Sequence, residues 1–156
     1  MAAFTDFAEN KIIDWLFRAQ AIGIVGATAA AATGPATLYI GLFTANPTDA
    51  TAGTEVTGGS YARVAVTSSL TAWAGTQNAA STLASNGSSG TTSNNNVITF
   101  AVPTAAWGVI SAMGVFDSLT AGNLLIYSAL TVSKTVNSAD AAPTFPAASL
   151  TFQLDN

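Results

Sequence analysis

The chain of 156 residues contains no histidine and no cysteine, and charged side chains make up only 8% of it. An ordinary soluble domain carries about 25% charged residues. Proton transfer, nucleophilic attack and metal ligation draw mainly on histidine, cysteine, lysine and the carboxylates. This composition therefore predicts no enzyme, no cofactor and no metal site. A weakly charged surface also does little to keep copies apart, which is typical of a subunit of an assembly.

The four lysines and arginines, with a net charge of −4, exclude a further class of protein. Binding to a nucleic-acid duplex requires several cations to replace counterions, so no nucleic-acid partner is expected. The uncharged run 19–32 is shorter than the roughly 20 apolar residues that span a bilayer. We therefore expect a soluble chain without a membrane partner.

The N-terminal segment has the period of an amphipathic helix. Its apolar face recurs at helical spacing and includes Ile12, Trp15, Leu16 and Ala19. Lys11, Asp14 and Arg18 lie opposite, and the last two form an i,i+4 pair. An apolar helical face must be buried against something, and the rest of the chain has enough predicted strands to close its own core. We therefore predict that these four apolar residues form an assembly interface. The alternative is that the helix covers one open end of the β-body.

The ends of this helix are also predicted from the sequence. Asp6 and Glu9 have the spacing of a capping box, and Thr5 is the alternative N-cap. The helix is expected to fade near Gly23 into an alanine- and glycine-rich connector that is punctuated by Gly26. The chain therefore divides into a helix with its connector, 1–34, and a β-body, 35–156.

The chain after residue 34 predicts β structure throughout. Short runs of β-forming residues alternate with turns of glycine, asparagine and threonine. The predicted strands are Thr37–Phe43, Tyr61–Val66, Ser69–Trp73, Val97–Val102, Gly108–Phe116, Leu124–Leu130 and Ser149–Leu154. The serine-, threonine- and asparagine-rich tract Gly75–Asn96 is expected to be an exposed loop or a frayed strand pair. This pattern predicts a mainly β fold, an antiparallel β-sandwich or jelly roll with one N-terminal amphipathic helix.

Three polar patterns could suggest chemistry, and each has a simpler structural explanation. Gly23–Thr28 lacks the lysine of a phosphate-binding loop and follows no strand. Asp117–Asn123 has the composition of a hairpin turn and too few carboxylates for a calcium loop. The remaining carboxylates that could form a glycosidase pair lie in turn-like stretches and include Asp49, Glu55 and Asp140. We predict no catalytic, cofactor-binding or metal-binding residue.

Aromatic residues and one arginine leave alternatives open. Trp73, Trp107 and Tyr61 are either core or interface anchors, or a platform for stacking a sugar. Arg63 is the one cation between the helix and Lys134. It is either a solvated strand residue or the cation of a buried or interfacial ion pair, with Glu55 or an aspartate as its partner.

Several stretches together resemble a family of small virion proteins of tailed bacteriophages, usually labelled phage tail fibre protein. The resemblance is carried by Glu9–Asp14, by PATLYIGLFTANPTDA from Pro35, by GTEVTGGSYARVAV from Gly53 and by the closing FPAASLTFQLD. It spans essentially the whole chain and implies a virion structural component without enzymatic activity or cofactor.

Two placements in the virion follow from the resemblance. As a capsid decoration (cement) protein, the chain would stabilise the head as homotrimers that bridge subunits of the major capsid protein. As a tail fibre or baseplate component, it would contact other virion proteins and the host surface, where a host glycan is a further partner. The absence of coiled-coil heptads and fibrous repeats favours the capsid placement, and the family label favours the tail.

Overall fold

Antiparallel β-strands follow one N-terminal helix along the chain. The computed structural model describes residues 4–23 and 34–154. Helix α1 spans Asp6–Arg18, and the strands are β1 Thr37–Ala45, β2 Thr54–Glu55, β3 Val64–Thr67, β4 Thr91–Ser93, β5 Ile98–Thr99, β6 Gly108–Phe116, β7 Leu124–Val136, β8 Thr144–Phe145 and β9 Thr151–Gln153. The prediction of a mainly β, antiparallel fold with an N-terminal helix is confirmed.

Helix α1 is capped by Thr5 and ends earlier than the sequence predicts. The Thr5 hydroxyl accepts a hydrogen bond from the backbone N–H of Ala8 at 3.4 Å, so Thr5 is the N-cap. At the other end Ala19 has φ 53°, a left-handed conformation that stops the helical repeat. The helix therefore ends at Arg18 instead of fading near Gly23.

The described residues form two compact units. One contains α1, β4 and β9 and comprises the described parts of Met1–Thr37, Thr67–Ile98 and Phe145–Asn156. The other comprises Leu38–Val66 and Thr99–Thr144 and contains the longest strands. The sequence-based division at residue 34 stays a prediction, because residues 24–33, which include Gly26, lie outside the described part of the chain.

The helical unit is built around aromatic side chains. Ile13 and Phe17 of α1 are buried, at 1% and 3% exposure. The Phe17 ring lies 5.0 Å from the ring of Trp73 and 4.9 Å from that of Phe152, measured between centroids. Strand β9 carries Phe152 and pairs antiparallel with β4. The helix is thus part of the core of its own unit.

The other unit, which we call the sheet unit, is a sheet with the strand order β2–β1–β6–β7. In this sheet β3 also pairs with β1. Strands β1 and β6 occupy the middle and are mostly buried, which fits their nearly continuous apolar sequences. In the antiparallel pairing of β6 with β7, Ile110 faces Lys134 and Ala112 faces Ala129. Because β7 has more residues than β6 between these two pairs, 130–133 form a bulge in the last strand.

Strand boundaries agree with the sequence best in the middle of this sheet. Strand β6 has the predicted bounds, and β1 extends the predicted strand by two residues. The predicted strand Ser69–Trp73 is wrong, because this segment is a turn. The Ser69 hydroxyl accepts the backbone N–H of Ala72, and the Ser69 carbonyl accepts those of Ala72 and Trp73. The tract Gly75–Asn96 contains the short strand β4, and β2 and β8 were not predicted.

Candidate functional site

An ion pair joins Arg63 and Glu55 in the sheet unit. The Arg63 guanidinium donates from Nη2 to Glu55 Oε2 at 2.7 Å and from Nε to Glu55 Oε1 at 2.8 Å. Two parallel N–H···O bonds are the geometry in which arginine recognises a carboxylate most strongly. The structure therefore brings together the two residues that the sequence offers as an ion pair. Glu55 lies on β2, and Arg63 precedes β3.

The same guanidinium holds the turn between β6 and β7. Its Nη1 donates to the carbonyl oxygens of Ser118 and Ala121, at 2.8 and 2.7 Å. Its Cζ atom lies 3.3 Å from the centroid of the Phe116 ring, which is a cation–π contact. Within the turn, the Asp117 carboxylate accepts two bonds from Asn123 at 2.7 Å. This segment is a hairpin turn whose inward carbonyls bind an arginine of the chain itself.

Tyr61 completes the Arg63 cluster, which we define as Arg63, Glu55 and Tyr61. The Tyr61 hydroxyl donates to Glu55 Oε1 at 2.9 Å and accepts the backbone N–H of Leu42 at 2.8 Å. Burial raises the pKa of Tyr61 well above its ordinary value, and the negative charge of Glu55 adds to this effect. The hydrogen bond from Arg63 to Glu55 raises the pKa of the guanidinium. The hydrogen bonds of the cluster tie β1 and β2 to the segment that precedes β3.

A glycine makes room for this cluster on β1. A Cβ atom built on Gly41 would lie 2.9 Å from Glu55 Oε1 and 3.2 Å from the Tyr61 hydroxyl. It would also lie 2.8 Å from the Phe116 ring. Position 41 therefore needs glycine because the cluster packs directly on the backbone.

A second arginine organises the helical unit. Arg18 is fully buried, at 0% exposure, and its Nη1 donates to Asp14 Oδ1 at 2.6 Å. The i,i+4 pair predicted from the sequence is confirmed. Asp14 is buried as well, at 5% exposure. The helix therefore buries its charged pair together with Ile13 and Phe17.

The Arg18 cluster, defined as Arg18, Asp14 and Ser85, attaches the polar tract to the helix. Arg18 donates to Ser85 Oγ at 3.1 Å and to three carbonyl oxygens, those of Trp73, Ser81 and Leu83. Asp14 accepts the backbone N–H and the hydroxyl of Ser85, at 2.9 and 2.6 Å. The buried ion pair therefore attaches the tract, which cannot build a core of its own, to the helix.

Asn10 makes a second attachment of the tract to the helix. Its Nδ2 donates to the Gly87 carbonyl at 3.0 Å, and its Oδ1 accepts the Thr76 hydroxyl at 2.5 Å. The sequence analysis did not predict that α1 binds the tract. The available signal was the i,i+4 pair of Asp14 and Arg18, in a chain that has very few charges.

The four predicted interface residues are half-buried: Ile12, Trp15 and Leu16 lie on α1, and Ala19 is its C-cap. They flank the deeply buried Ile13 and Phe17. Their assignment to an assembly interface stays a prediction. The exposed apolar residues of the same segment are Phe4 and Phe7, at 59% and 58% exposure.

Of the two alternatives left open for Trp73, Trp107 and Tyr61, the structure supports core anchors and not a sugar platform. Trp73 and Trp107 are buried, at 0% and 5% exposure. The Trp107 indole N–H donates to the Gly59 carbonyl at 2.9 Å, and its ring packs edge-on against Tyr61 at 5.3 Å. Buried rings of this kind are core anchors and have no open face for a sugar.

The candidate carboxylates Asp140 and Asp49 have separate partners. Asp140 accepts the backbone N–H of Asn137 at 2.7 Å, and Asp49 accepts the Tyr127 hydroxyl at 2.6 Å. Across residues 4–23 and 34–154, no group of three histidine, cysteine, aspartate or glutamate side chains could hold a metal ion. The candidate phosphate loop Gly23–Thr28 lies outside the described residues except for its first glycine.

An open groove of about 450 Å³ lies beside β7 in the sheet unit. It is lined by the β1–β2 loop and by three residues of the last strand: Leu124, Leu125 and Tyr127. The hydrogen bond to Asp49 raises the pKa of Tyr127 above its ordinary value.

No helix in the described part of the chain is long and apolar enough to cross a membrane.

The chain matches a known family of bacteriophage proteins. The family model described as "Podophage GP4 fiber I protein gp80" matches residues 3–153. The chain belongs to this family. No curated protein matches the chain. Membership makes the chain a fibre-like structural protein of a bacteriophage virion.

Proposed function

We propose that the chain is a non-enzymatic structural component of a fibre on the virion of a tailed bacteriophage. The observation that carries this proposal is the family match over 3–153, since the family is described as a fibre protein. The structure supports a structural role because the arginines of both clusters are used to fix loops. The carboxylates that could act in catalysis are likewise engaged in turns and ion pairs.

Labelling of intact virions tests this placement. Antibodies raised against the purified chain, detected with gold particles in the electron microscope, are expected to decorate the fibres. Gold spread evenly over the head would contradict the fibre placement. Particles that lack the protein serve as the control for nonspecific labelling.

A second candidate is a capsid decoration protein that stabilises the head by bridging major capsid subunits. The observation that favours it is the short helix of the described chain, 13 residues, with no heptad repeat from which a fibre shaft could be built. Under this candidate, virions without the protein would lose DNA at lower temperature than complete virions. Unchanged heat stability together with loss of adsorption would favour the fibre.

We also propose that the chain associates with itself, as a homotrimer, and that α1 contributes to this contact. Large apolar side chains remain exposed on a surface of low charge, including Phe4 and Phe7, and exposed apolar patches mark interaction sites. The paired substitutions Trp15→Ala and Leu16→Ala are expected to reduce the mass measured by light scattering while the fold is retained. If the variant unfolds instead, these two side chains belong to the core and α1 is not the contact.

A host glycan is a partner only under the fibre placement. The groove beside Tyr127 is the described surface that combines an aromatic ring, the carboxylate of Asp49 and threonine hydroxyls. Binding of virions to purified host polysaccharide, and its loss with Asp49→Asn, would support this partner. Equal binding by the variant would contradict a role for the groove.

A further inference from the structure

The sequence contains one asparagine that is followed directly by glycine, Asn86–Gly87. In such a pair the backbone nitrogen of the glycine attacks the side-chain carbonyl carbon of the asparagine with little hindrance, because glycine has no side chain. The new N–C bond closes a succinimide ring, and the proton of the nitrogen leaves with the side-chain amide as ammonia. Water then opens the ring to aspartate or to isoaspartate, whose backbone runs through the side-chain carboxyl carbon. Asn86 is exposed, so water has access to it.

The fold holds the nitrogen that would have to attack. The Gly87 N–H donates to Thr76 Oγ1 at 2.9 Å, and the Thr76 hydroxyl donates to Asn10 Oδ1 at 2.5 Å. Asn10 Nδ2 donates in turn to the Gly87 carbonyl at 3.0 Å. We call Gly87, Thr76 and Asn10, which close on one another through these three bonds, the Gly87 ring. A Cβ atom built on Gly87 would lie 2.7 Å from Gln77 Cα, so packing requires glycine at this position.

We propose that Asn86 is a site of spontaneous deamidation, and that the closed Gly87 ring keeps this reaction slow in the folded protein. Attack requires that the Gly87 nitrogen give up both its hydrogen bond and its proton. Thr76 is buried, at 4% exposure, and its hydroxyl is a neutral group whose own proton is bound to Asn10. The reaction therefore has to wait for a local opening of the tract, and such openings are rare where backbone groups are buried and hydrogen-bonded.

The modification has a structural consequence, because Asn86 lies between the two attachments of the tract to α1. On one side Ser85 binds Asp14, and on the other Gly87 binds Asn10. Asn10 and Asp14 are four residues apart and therefore lie on the same face of the helix. Isoaspartate adds a carbon atom to the backbone between Ser85 and Gly87, whereas aspartate does not. Isoaspartate at 86 therefore strains both attachments and loosens the tract from the helix.

Peptide mapping by mass spectrometry measures the reaction. The parent protein is incubated folded in buffer and unfolded in guanidinium chloride, at the same pH and temperature. Deamidation of Asn86 should be slower in the folded protein by on the order of tenfold or more, because a hydrogen bond changes an opening equilibrium by up to about tenfold. Thr76→Val, which removes the hydroxyl from the ring, should raise the rate in the folded protein several-fold, up to about tenfold.

Ser89→Ala is the matched control. It removes a hydroxyl that donates to the Thr76 carbonyl at 2.7 Å and leaves the Gly87 N–H bound, so the rate should not change. Equal rates in the folded and unfolded parent would overturn the proposal, even if Thr76→Val does not fold. A folded Thr76→Val protein that reacts no faster than Ser89→Ala would overturn it as well.

Hydrogen exchange tests the consequence for the tract. Parent protein aged until isoaspartate has formed at 86 should exchange its amides in 75–90 faster than fresh protein. Freshly prepared Asn86→Asp, which has the same charge without the added carbon, should exchange like the parent. Equal exchange in aged and fresh protein, or an equal increase in Asn86→Asp, would show that the added backbone atom does not loosen the tract.

Discussion

Replacement of Arg18 by methionine removes the interaction that joins the polar tract to α1. The side chain is fully buried and donates to one carboxylate, one hydroxyl and three carbonyl groups. Its loss leaves the buried Asp14 carboxylate without its cation, although both bonds from Ser85 remain. Removing one partner of a buried ion pair costs about 3–5 kcal/mol in free energy of unfolding. We expect Arg18→Met to lower the free energy of unfolding by an amount in this range.

Urea unfolding and hydrogen exchange measure this effect. The variant should lower the free energy of unfolding and should increase amide exchange in 75–90 more than in the sheet unit. Lys11→Met on the same helix is the matched control. Its expected change is within about 0.5 kcal/mol, because the contact of its ammonium group among the described residues is a distant one, 5.8 Å from the centroid of the Phe7 ring. A cost below about 1 kcal/mol for Arg18→Met, or equal exchange across both units, would refute the reasoning.

Three other predictions concern the Arg63 cluster and the turn beside it. Gly41→Ala should destabilise the sheet unit by about 1–3 kcal/mol in thermal unfolding, since its Cβ would meet Glu55; an unchanged melting temperature would contradict the packing. The lowered pKa of Asp117 means that its stabilising effect is present above the unfolded pKa and is lost as pH falls through the folded pKa. The Asn123 amide resonance should therefore shift in acid, and a flat titration would oppose this. The raised pKa of Tyr61 makes its stabilising effect complete below about pH 10 and progressively lost above it. The free energy of unfolding of Tyr61→Phe should therefore fall less steeply above about pH 10 than that of the parent protein, and identical pH dependences would argue against this.

The sequence predicts the fold best where an element is defined by its own residues. Strand β6 is found with its predicted bounds because its apolar run is long and begins after a turn. Strand β7 continues beyond the predicted Leu130. Its second half is largely polar, so the local pattern does not predict a strand there, but it pairs with β6 after a bulge. Tertiary pairing, which the local pattern does not contain, determines that continuation.

The polar clusters were predictable only in part. The spacing of Asp14 and Arg18 predicts their ion pair, but a charged pair on a short helix is ordinarily solvated. Its burial depends on the tract 75–90, whose contacting residues Leu83 and Ser85 are more than 60 residues from Arg18 in sequence. For Arg63 the sequence left two environments open, because the turn whose carbonyls it binds is more than 50 residues away.

Imaging of the intact virion by electron cryomicroscopy tests the central claim most directly. We predict that density matching the sheet β2–β1–β6–β7 and helix α1 of this chain is found in a fibre attached to the particle. Density for the chain on the capsid surface, or its absence from purified virions, would show that the fibre placement is wrong.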